Sequence, residues 1–180
     1  MYRIVSGITT LLQYIGTLLS KPEVFHPQQC PLCGCGCLWK HGFYFRKANR
    51  CPIPGEEHLH MIPIPRFLCT GCWHTCSRLP SCISPRRWYS WLSQQKVLLF
   101  LLATYSLHGC SVKFSMCRST VRRWWNWLES STPIFEHTLR SRFPEWGRIA
   151  DFKPFWKNAI GIMPLSEMMA QLDNDGVTVP

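Results

Sequence analysis

Acidic residues are scarce in this sequence, and so are the carboxylate arrangements that support catalysis. Asp and Glu together number ten in 180 residues, against 20 Lys and Arg, and the formal net charge is +10. The acids after Leu128 are scattered, whereas two-metal phosphoryl transfer needs several carboxylates that converge on one site. A glycine-rich phosphate loop and a G-x-S-x-G nucleophile elbow are also missing. These absences argue against an enzyme that is complete in one chain, and they leave open a recombinase or nuclease subunit that a partner chain completes.

Long apolar runs are missing as well. The uncharged segment 4–20 is too short for a comfortable transmembrane helix, and polar residues and two glycines interrupt it. No clear cleavage site follows it, so we expect a cytoplasmic protein with no membrane partner. Five apolar residues of this segment recur at helical spacing, which predicts an N-terminal amphipathic helix within residues 1–23 that packs on the rest of the protein. They are Leu11, Leu12, Ile15, Leu18 and Leu19.

The positive charge is concentrated in the middle of the chain. Residues 40–123 contain thirteen Lys and Arg and two acids, whereas residues 1–39 carry a net charge of +1 and residues 124–180 a net charge of −2. Such an excess is typical of a surface that binds a polyanion. Because the same segment holds closely spaced cysteines and many aromatic residues, nucleic acid is the expected partner, in preference to a face that is only solvated.

The eleven cysteines contain the most specific motif. Their number is odd, which a fully paired disulfide framework would not accommodate, and closely spaced cysteines in a reducing cytosol bind metal more often than they pair. Cys30 and Cys33 form one C-x-x-C turn, and Cys69 and Cys72 form another, so that together they supply the four soft ligands of tetrahedral Zn2+. The small Gly34 and Gly71 suit the tight backbone of these two turns. We predict a structural zinc ion there, with no open position for a catalytic water; a redox pair or inert thiols are the alternatives. The nearby Cys35, Cys37, Cys51, Cys76, His41 and His74 are interpreted as bystanders.

The 35 residues between the two turns fit a β-ribbon that brings the turns together. Strands are predicted over residues 43–45 and 62–68. A turn is predicted around residues 51–57, which contain two prolines and a glycine. The zinc ribbon is therefore expected to span residues 24–83.

Residues 84–130 predict two helices joined by a short turn. Ser84 and Pro85 have the chemistry of an N-cap and a first helical position, and Gly109 is expected to break the first helical run. In the second helix, three apolar residues recur at the spacing of a buried stripe. They are Val121, Trp124 and Leu128.

The opposite face of that second helix is basic and polar. Arg and Asn read guanine and adenine edges bidentately, and Ser and Thr contact phosphates. Ser115 stands where the turn of a helix-turn-helix often has glycine. The pattern favours a DNA-binding helix-turn-helix, with an ordinary helical hairpin as the alternative. The contacts expected from this helix are Arg118, Ser119, Thr120, Arg122, Arg123 and Asn126.

Residues 131–180 are expected to form a helical extension. A break is predicted at 131–133, followed by helices over 135–143, ended by Pro144, and over 165–172. The whole chain is thus predicted to be α+β and mostly α, with a small zinc β-ribbon followed by a helix-turn-helix region.

Several motifs carry a family resemblance. They are Cys30-Pro31-x-Cys33-Gly34, Trp39-Lys40-His41-Gly42-Phe43-Tyr44-x-Arg46, Ile64-Pro65-Arg66-Phe67-x-Cys69-x-x-Cys72 and Thr75-Cys76-Ser77. Together they resemble the zinc ribbon at the N-terminus of bacterial insertion-sequence transposases and related mobile-element proteins. Residues 84–89 and 119–124 are similar to the helix-turn-helix that follows such ribbons. From about Val24 onward the chain resembles a short uncharacterised family, often labelled transposase-like, and it departs from full transposases in lacking their acidic catalytic domain.

The resemblance implies recognition of element-end DNA in transposition. It also implies zinc ligation by the four cysteines and DNA contact by the helix over residues 118–126. Other basic residues expected to contact double-stranded DNA are Lys40, Arg46, Arg66, Arg86, Arg87 and Lys113. A catalytic transposase or recombinase subunit and a second copy of the chain are further expected partners. The alternative from another class is a zinc-stapled protein-interaction module that uses exposed tryptophans.

Overall fold

The computed structural model describes residues 2–50, 55, 57–85, 88–104 and 106–179. Within these ranges the chain forms six α-helices and one four-stranded sheet. This confirms the α+β, mostly helical class predicted from the sequence. The chain separates into two compact units, residues 1–90 with 179–180 and residues 91–178.

The first unit is built on the sheet, whose strand order is β1-β4-β3-β2. The strands are β1 (Tyr2–Val5), β2 (Leu38–Lys47), β3 (Met61–Cys69) and β4 (Thr75–Pro80). Strand β1 runs parallel to β4, and β3 is antiparallel to both β2 and β4. The N-terminal segment expected to be helical therefore begins as a strand, because its backbone pairs with residues 77–80.

Helix α1 (Leu11–Ser20) is the amphipathic helix of the N-terminal segment. Thr10 caps it, because the Thr10 hydroxyl accepts a hydrogen bond from the backbone N–H of Gln13 at 3.1 Å. Its inward face is centred on the fully buried Tyr14, so the expectation that Leu12 and Leu19 pack inward is wrong: their side chains are 61% and 80% exposed. The core of this unit consists of Val5, Ile8, Tyr14, Phe25, Ala48, Ile62, Ile64, Leu79 and Ile83.

Strands β2 and β3 form the predicted ribbon, longer at both ends than the sequence indicated. Lys40 pairs with Phe67 and Phe43 pairs with Pro65, so two residues of β2 oppose one residue of β3 between these pairs. This is a β-bulge, and Gly42 supports it with a φ of +73°. The predicted turn at 51–57 lies mostly outside the described residues. Two 3-10 turns complete this unit, Pro22–Phe25 and Glu57–Leu59.

The second unit is helical. Its helices are α2 (Trp91–Thr104), α3 (Leu107–Lys113), α4 (Arg118–Arg142), α5 (Phe152–Ile162) and α6 (Leu165–Asn174), with a 3-10 turn at Pro144–Arg148.

The predicted helix start at Ser84 and Pro85 is wrong, since α2 begins at Trp91. Both residues are buried in the first unit. The Ser84 carbonyl accepts a hydrogen bond from Arg46 Nη2 at 3.1 Å. A good local cap is overridden here by tertiary contacts with the ribbon.

The break predicted at Gly109 is also wrong, because Gly109 lies inside α3. The interruption comes earlier, where Ser106 caps α3 and its hydroxyl accepts from the Gly109 N–H at 3.0 Å. A Cβ at Gly109 would come within 2.9 Å of the Ser106 Oγ atom. Glycine therefore permits the cap rather than ending a helix.

Helix α4 continues through the break predicted at 131–133, with Pro133 inside it. An internal proline costs about 3 kcal/mol. Burial along one continuous stripe offsets that cost, because the stripe extends on both sides of the proline. It consists of Val121, Trp124, Trp125, Leu128, Thr132, Phe135 and Leu139.

Candidate metal centre and candidate nucleic-acid interface

The first C-x-x-C turn, residues 30–34, is called knuckle 1. The backbone N–H of Gly34 donates to the Cys30 carbonyl at 2.9 Å, and the N–H of Cys30 donates to the Cys35 carbonyl at 2.8 Å. Gly34 has a φ of +75°, a left-handed conformation that glycine adopts without steric cost. The chain thus folds back within five residues and directs Cys30 and Cys33 to the same side.

The second turn, residues 69–73, is called knuckle 2 and repeats this geometry. The N–H of Trp73 donates to the Cys69 carbonyl at 2.9 Å. Trp73 occupies the position of Gly34 and has a φ of +57°, although it is not glycine. The prediction that Gly71 provides the tight backbone is wrong, and its role is different: a Cβ there would lie 3.1 Å from the Cys35 Cβ atom. Gly71 leaves room for Cys35, and Trp73 is the residue that adopts the left-handed conformation.

Hydrogen bonds also join the two knuckles. The backbone N–H and the hydroxyl of Thr70 both donate to the Cys37 carbonyl at 3.2 Å. Since Cys37 directly precedes β2 and Thr70 directly follows β3, the paired strands and these bonds hold the knuckles side by side.

The four predicted ligands converge. The Sγ atoms of Cys30, Cys33, Cys69 and Cys72 all lie within 4.8 Å of one another. Cys30 and Cys72 are 3.7 Å apart, and Cys33 and Cys69 are 3.5 Å apart, measured between Sγ atoms. Four sulfurs bound tetrahedrally at the Zn–S distance of about 2.3 Å would be separated by about 3.8 Å. The cluster therefore has the dimensions of a four-cysteine metal site.

The electrostatic environment favours a thiolate at Cys30. Burial raises the pKa of this thiol, but hydrogen bonds from the backbone N–H groups of Cys33 and Leu32 and from neighbouring thiols outweigh it and lower the pKa to about 6. A thiolate is the form of cysteine that binds a metal. Burial and the neighbouring cysteines raise the pKa values of Cys33, Cys69 and Cys72, so a bound cation would be needed to keep these three as thiolates.

Among the described residues, the neighbouring cysteines and histidines are not members of this cluster, although the Cys35 thiol interacts with the Cys69 thiol. In the described part of the chain, Cys30, Cys33, Cys69 and Cys72 are the one group of three or more potential ligands close enough to share an ion. The Cys35 Sγ atom accepts the N–H of Cys37 at 3.4 Å, and the His74 ring lies 2.8 Å from the Cys72 carbonyl through Nδ1. Cys76 is buried, and this burial raises its pKa. Cys51 lies outside the described residues.

The turn between α3 and α4 is a Schellman motif. The N–H of Met116 donates to the Ser111 carbonyl at 3.0 Å, and the N–H of Ser115 donates to the Val112 carbonyl at 3.3 Å. Ser115 has a φ of +50°. This is the position at which a helix-turn-helix often has glycine, and the left-handed backbone explains that preference.

The outer face of α4 is basic and exposed. Arg118, Ser119, Arg122, Arg123 and Asn126 are all exposed, and Thr120 is half-buried. Trp125 is buried with its ring edge against Phe152, and the half-buried Trp127 packs edge-on against Phe135. Neither tryptophan lies on the basic face. One contact was not anticipated from the sequence: Arg118 Nη2 donates to the His108 Nδ1 atom at 2.6 Å, which joins α3 to the start of α4.

The other predicted DNA contacts are dispersed. Lys40 and Lys113 are exposed, with the Lys113 ammonium 4.9 Å from the Phe100 ring centroid. Arg66 is half-buried, with its guanidinium 5.3 Å from the ring centroid of Tyr44. Arg46 bonds the Ser84 carbonyl, so Arg46 and Arg66 both take part in packing the sheet. Arg86 and Arg87 lie outside the described residues.

Within the residues that the structure describes, no helix has both the length and the apolar character needed to cross a membrane. Neither a protein-family model, nor a curated protein, nor a solved structure matches this chain.

Proposed function

We propose that this chain is a zinc-dependent DNA-binding protein of a mobile genetic element, which recognises element-end DNA during transposition. In this proposal the chain supplies recognition, and a catalytic transposase or recombinase subunit supplies strand cleavage. Thiols that bind a metal stay reduced most readily in a reducing compartment, so the proposal includes a cytoplasmic location.

Zinc is the metal that best suits the cluster. Four thiolates and no oxygen ligand favour a soft or borderline cation, and the sulfur separations fit tetrahedral coordination. With four protein ligands the ion has no open position, so its role is structural. It would fasten the ends of β2 and β3 in a unit whose core is small.

The observation that carries the DNA proposal is the exposed face of α4. Three arginines and an asparagine lie there in the first turns of a helix that follows a Schellman turn, and the stripe of buried residues holds the opposite side. A helix presented in this way can enter the major groove, with its N-terminal residues against base edges. The resemblance to insertion-sequence proteins supports element ends as the target.

An electrophoretic mobility shift with fragments of the host genome tests this proposal. The zinc-loaded protein should shift a subset of duplex fragments, and affinity should fall steeply with salt because phosphate contacts release counterions. Removal of zinc with a chelator should abolish the shift, and added zinc should restore it. Binding that is unaffected by salt, or absent for every duplex, would contradict the proposal.

A further inference from the structure

Strand β2 exposes three aromatic rings, Trp39, Phe43 and Phe45, and the last two have no role in the proposed duplex binding. Phe43 is 59% exposed and Phe45 is 65% exposed. They are two residues apart on one strand, so their side chains lie on the same face of the sheet, about 6.8 Å apart along the strand. Rings of this size are usually buried or stacked on a partner.

The bulge in β2 places lysines on this same face. Lys40, Phe43, Phe45 and Lys47 pair with four alternate residues of the neighbouring strand, namely Phe67, Pro65, Pro63 and Met61. Paired residues of antiparallel strands share a face, and alternate residues of one strand also share a face. The four β2 residues therefore form one line, which we call the aromatic row. Without the extra residue of the bulge, Lys40 would lie on the opposite face.

Trp88 extends the aromatic row at one end. Its side chain is 65% exposed, and the Lys47 ammonium lies 6.0 Å from its ring centroid. The cation contacts the ring while much of the ring surface stays accessible to solvent. Met61, which pairs with Lys47, is also exposed and adds apolar surface.

The charge of the sheet selects the kind of partner. The two charged residues of the aromatic row, Lys40 and Lys47, are both cationic, and strands β2, β3 and β4 contain no acid. A partner should therefore be anionic and should offer flat faces for stacking. Single-stranded nucleic acid combines both properties, because its bases are unpaired and every base has a π-face. Bases within a duplex are already stacked on one another.

We propose that the aromatic row and Trp88 bind single-stranded nucleic acid, with bases stacked on Phe43 and Phe45 and phosphates contacted by Lys40 and Lys47. The interaction is independent of sequence, since stacking does not read base edges. It belongs to the first unit and does not depend on duplex recognition by α4. A mobile-element protein with both surfaces would hold a duplex and an opened strand.

Fluorescence anisotropy with the full-length, zinc-loaded protein tests this inference. The probes are a labelled oligothymidine and an abasic strand of the same length, which has the same phosphates but no bases. The protein should bind the oligothymidine roughly tenfold or more tighter than the abasic strand, since stacking contributes strongly per base. Equal affinities would overturn the proposal.

Matched variants separate stacking from other forms of attraction. Phe43→Leu combined with Phe45→Leu keeps apolar side chains and should remove most of the preference for bases, whereas Phe→Tyr at both positions should retain it. Lys40→Ala combined with Lys47→Ala should weaken the binding of both probes and make their affinities less dependent on salt. Leu12→Ala, at another exposed apolar position of the same unit, should change neither the affinity for the two probes nor the preference for bases.

Two results would count against the aromatic row. One is a leucine double variant that retains zinc and its far-ultraviolet circular dichroism but binds oligothymidine as well as the parent does. The other is a sedimentation profile that shows a dimer for the parent and a monomer for the leucine double variant, because a second copy of the chain would then cover the row. Arg122→Ala should leave oligothymidine binding unchanged, so a failure of the duplex proposal would be seen separately.

Discussion

The Sγ atom of Cys33 lies 3.5 Å from that of Cys69, although the two residues are 36 positions apart in the sequence. Strands β2 and β3 account for this proximity, because their pairing ends with Leu38 opposite Cys69. Closing so long a loop has an entropic cost, and an ion bound at both ends would offset it. The fold of the ribbon and its metal occupancy should therefore be coupled.

Replacing one ligand tests that coupling. Cys33→Ser should weaken zinc binding by more than the roughly 10–100-fold typical of a partner outside the coordination sphere. The first unit should unfold at lower temperature, while the helical unit keeps its circular dichroism signal. Zinc content and thermal unfolding are the measurements. Cys117→Ser, at an exposed cysteine of the helical unit, is the control and should change neither.

Trp73 should be a source of backbone strain in knuckle 2. Its φ of +57° costs an L-residue about 1–2 kcal/mol, and its side chain is 71% exposed, so little packing offsets that cost. Trp73→Asn should raise the free energy of unfolding by about 1 kcal/mol, since asparagine tolerates this conformation. Trp73→Val should lower it. Urea unfolding of the zinc-loaded protein measures both, and a destabilised asparagine variant would show that Trp73 makes contacts that matter.

Ser115 offers the same test in the other unit. Ser115→Gly should stabilise the Schellman turn by up to about 1 kcal/mol, because glycine adopts a positive φ without a Cβ clash. Ser115→Val should destabilise it and disturb the orientation of α4. Thermal unfolding gives the stability of each variant. A glycine variant less stable than the parent would argue against the left-handed conformation.

Arg122 should contribute to duplex binding beyond its charge. Arg122→Ala should cost about 1–3 kcal/mol on the preferred site if the side chain contacts a base, and less on other sequences. Arg148→Ala removes the same charge from an exposed position outside α4 and should have a much smaller effect. Mobility-shift titrations on specific and scrambled duplexes measure both. Equal losses from the two variants would mean that only net charge matters.

Cys117 should be among the first thiols to react with an alkylating reagent. It is exposed, and hydrogen bonds from the hydroxyl and backbone N–H of Ser119 lower its pKa, so more of it is thiolate near neutral pH. Burial raises the pKa of Cys110, and it raises that of Cys82 to about 12, so both should react slowly. Brief iodoacetamide treatment at pH 7.5, roughly one unit below the usual pKa of a thiol, followed by mass spectrometry, measures the order in which the cysteines react. Labelling of Cys82 before Cys117 would contradict these environments.

The four-cysteine cluster was predictable because its signal is local. Two residues between cysteines fix each knuckle, and the only long-range requirement is that the two knuckles meet. The identity of the left-handed residue was not predictable from composition. Glycine at position 71 suggested it, whereas the structure places it at Trp73, because the second knuckle repeats the first in register.

Two predicted helix boundaries, one in each unit, show where local signals fail. Ser84 and Pro85 resemble a helix start, and Pro133 resembles a helix end, yet contacts with distant residues decide both positions. The buried stripe of α4 was visible in part from the spacing of Val121, Trp124 and Leu128, all of which are buried. The continuation of the stripe to Leu139 was not predicted, because Pro133 suggested that the helix ends there.

The bulge in β2 was the least predictable feature with a functional consequence. One extra residue changes which side chains share a face, and the alternation of residues 38–47 does not indicate where this change of register occurs. Only the pairing of β2 with β3 shows that Lys40 lies on the face of Phe43 and Phe45.

X-ray absorption spectroscopy on the zinc-loaded, reduced protein measures the coordination of the proposed ion by the four cysteines. We expect one zinc per chain with four sulfur neighbours at about 2.3 Å and no nitrogen or oxygen in the first coordination shell. A protein that is folded but holds no zinc would contradict it. So would a shell that includes imidazole nitrogen, since His41 and His74 would then be ligands.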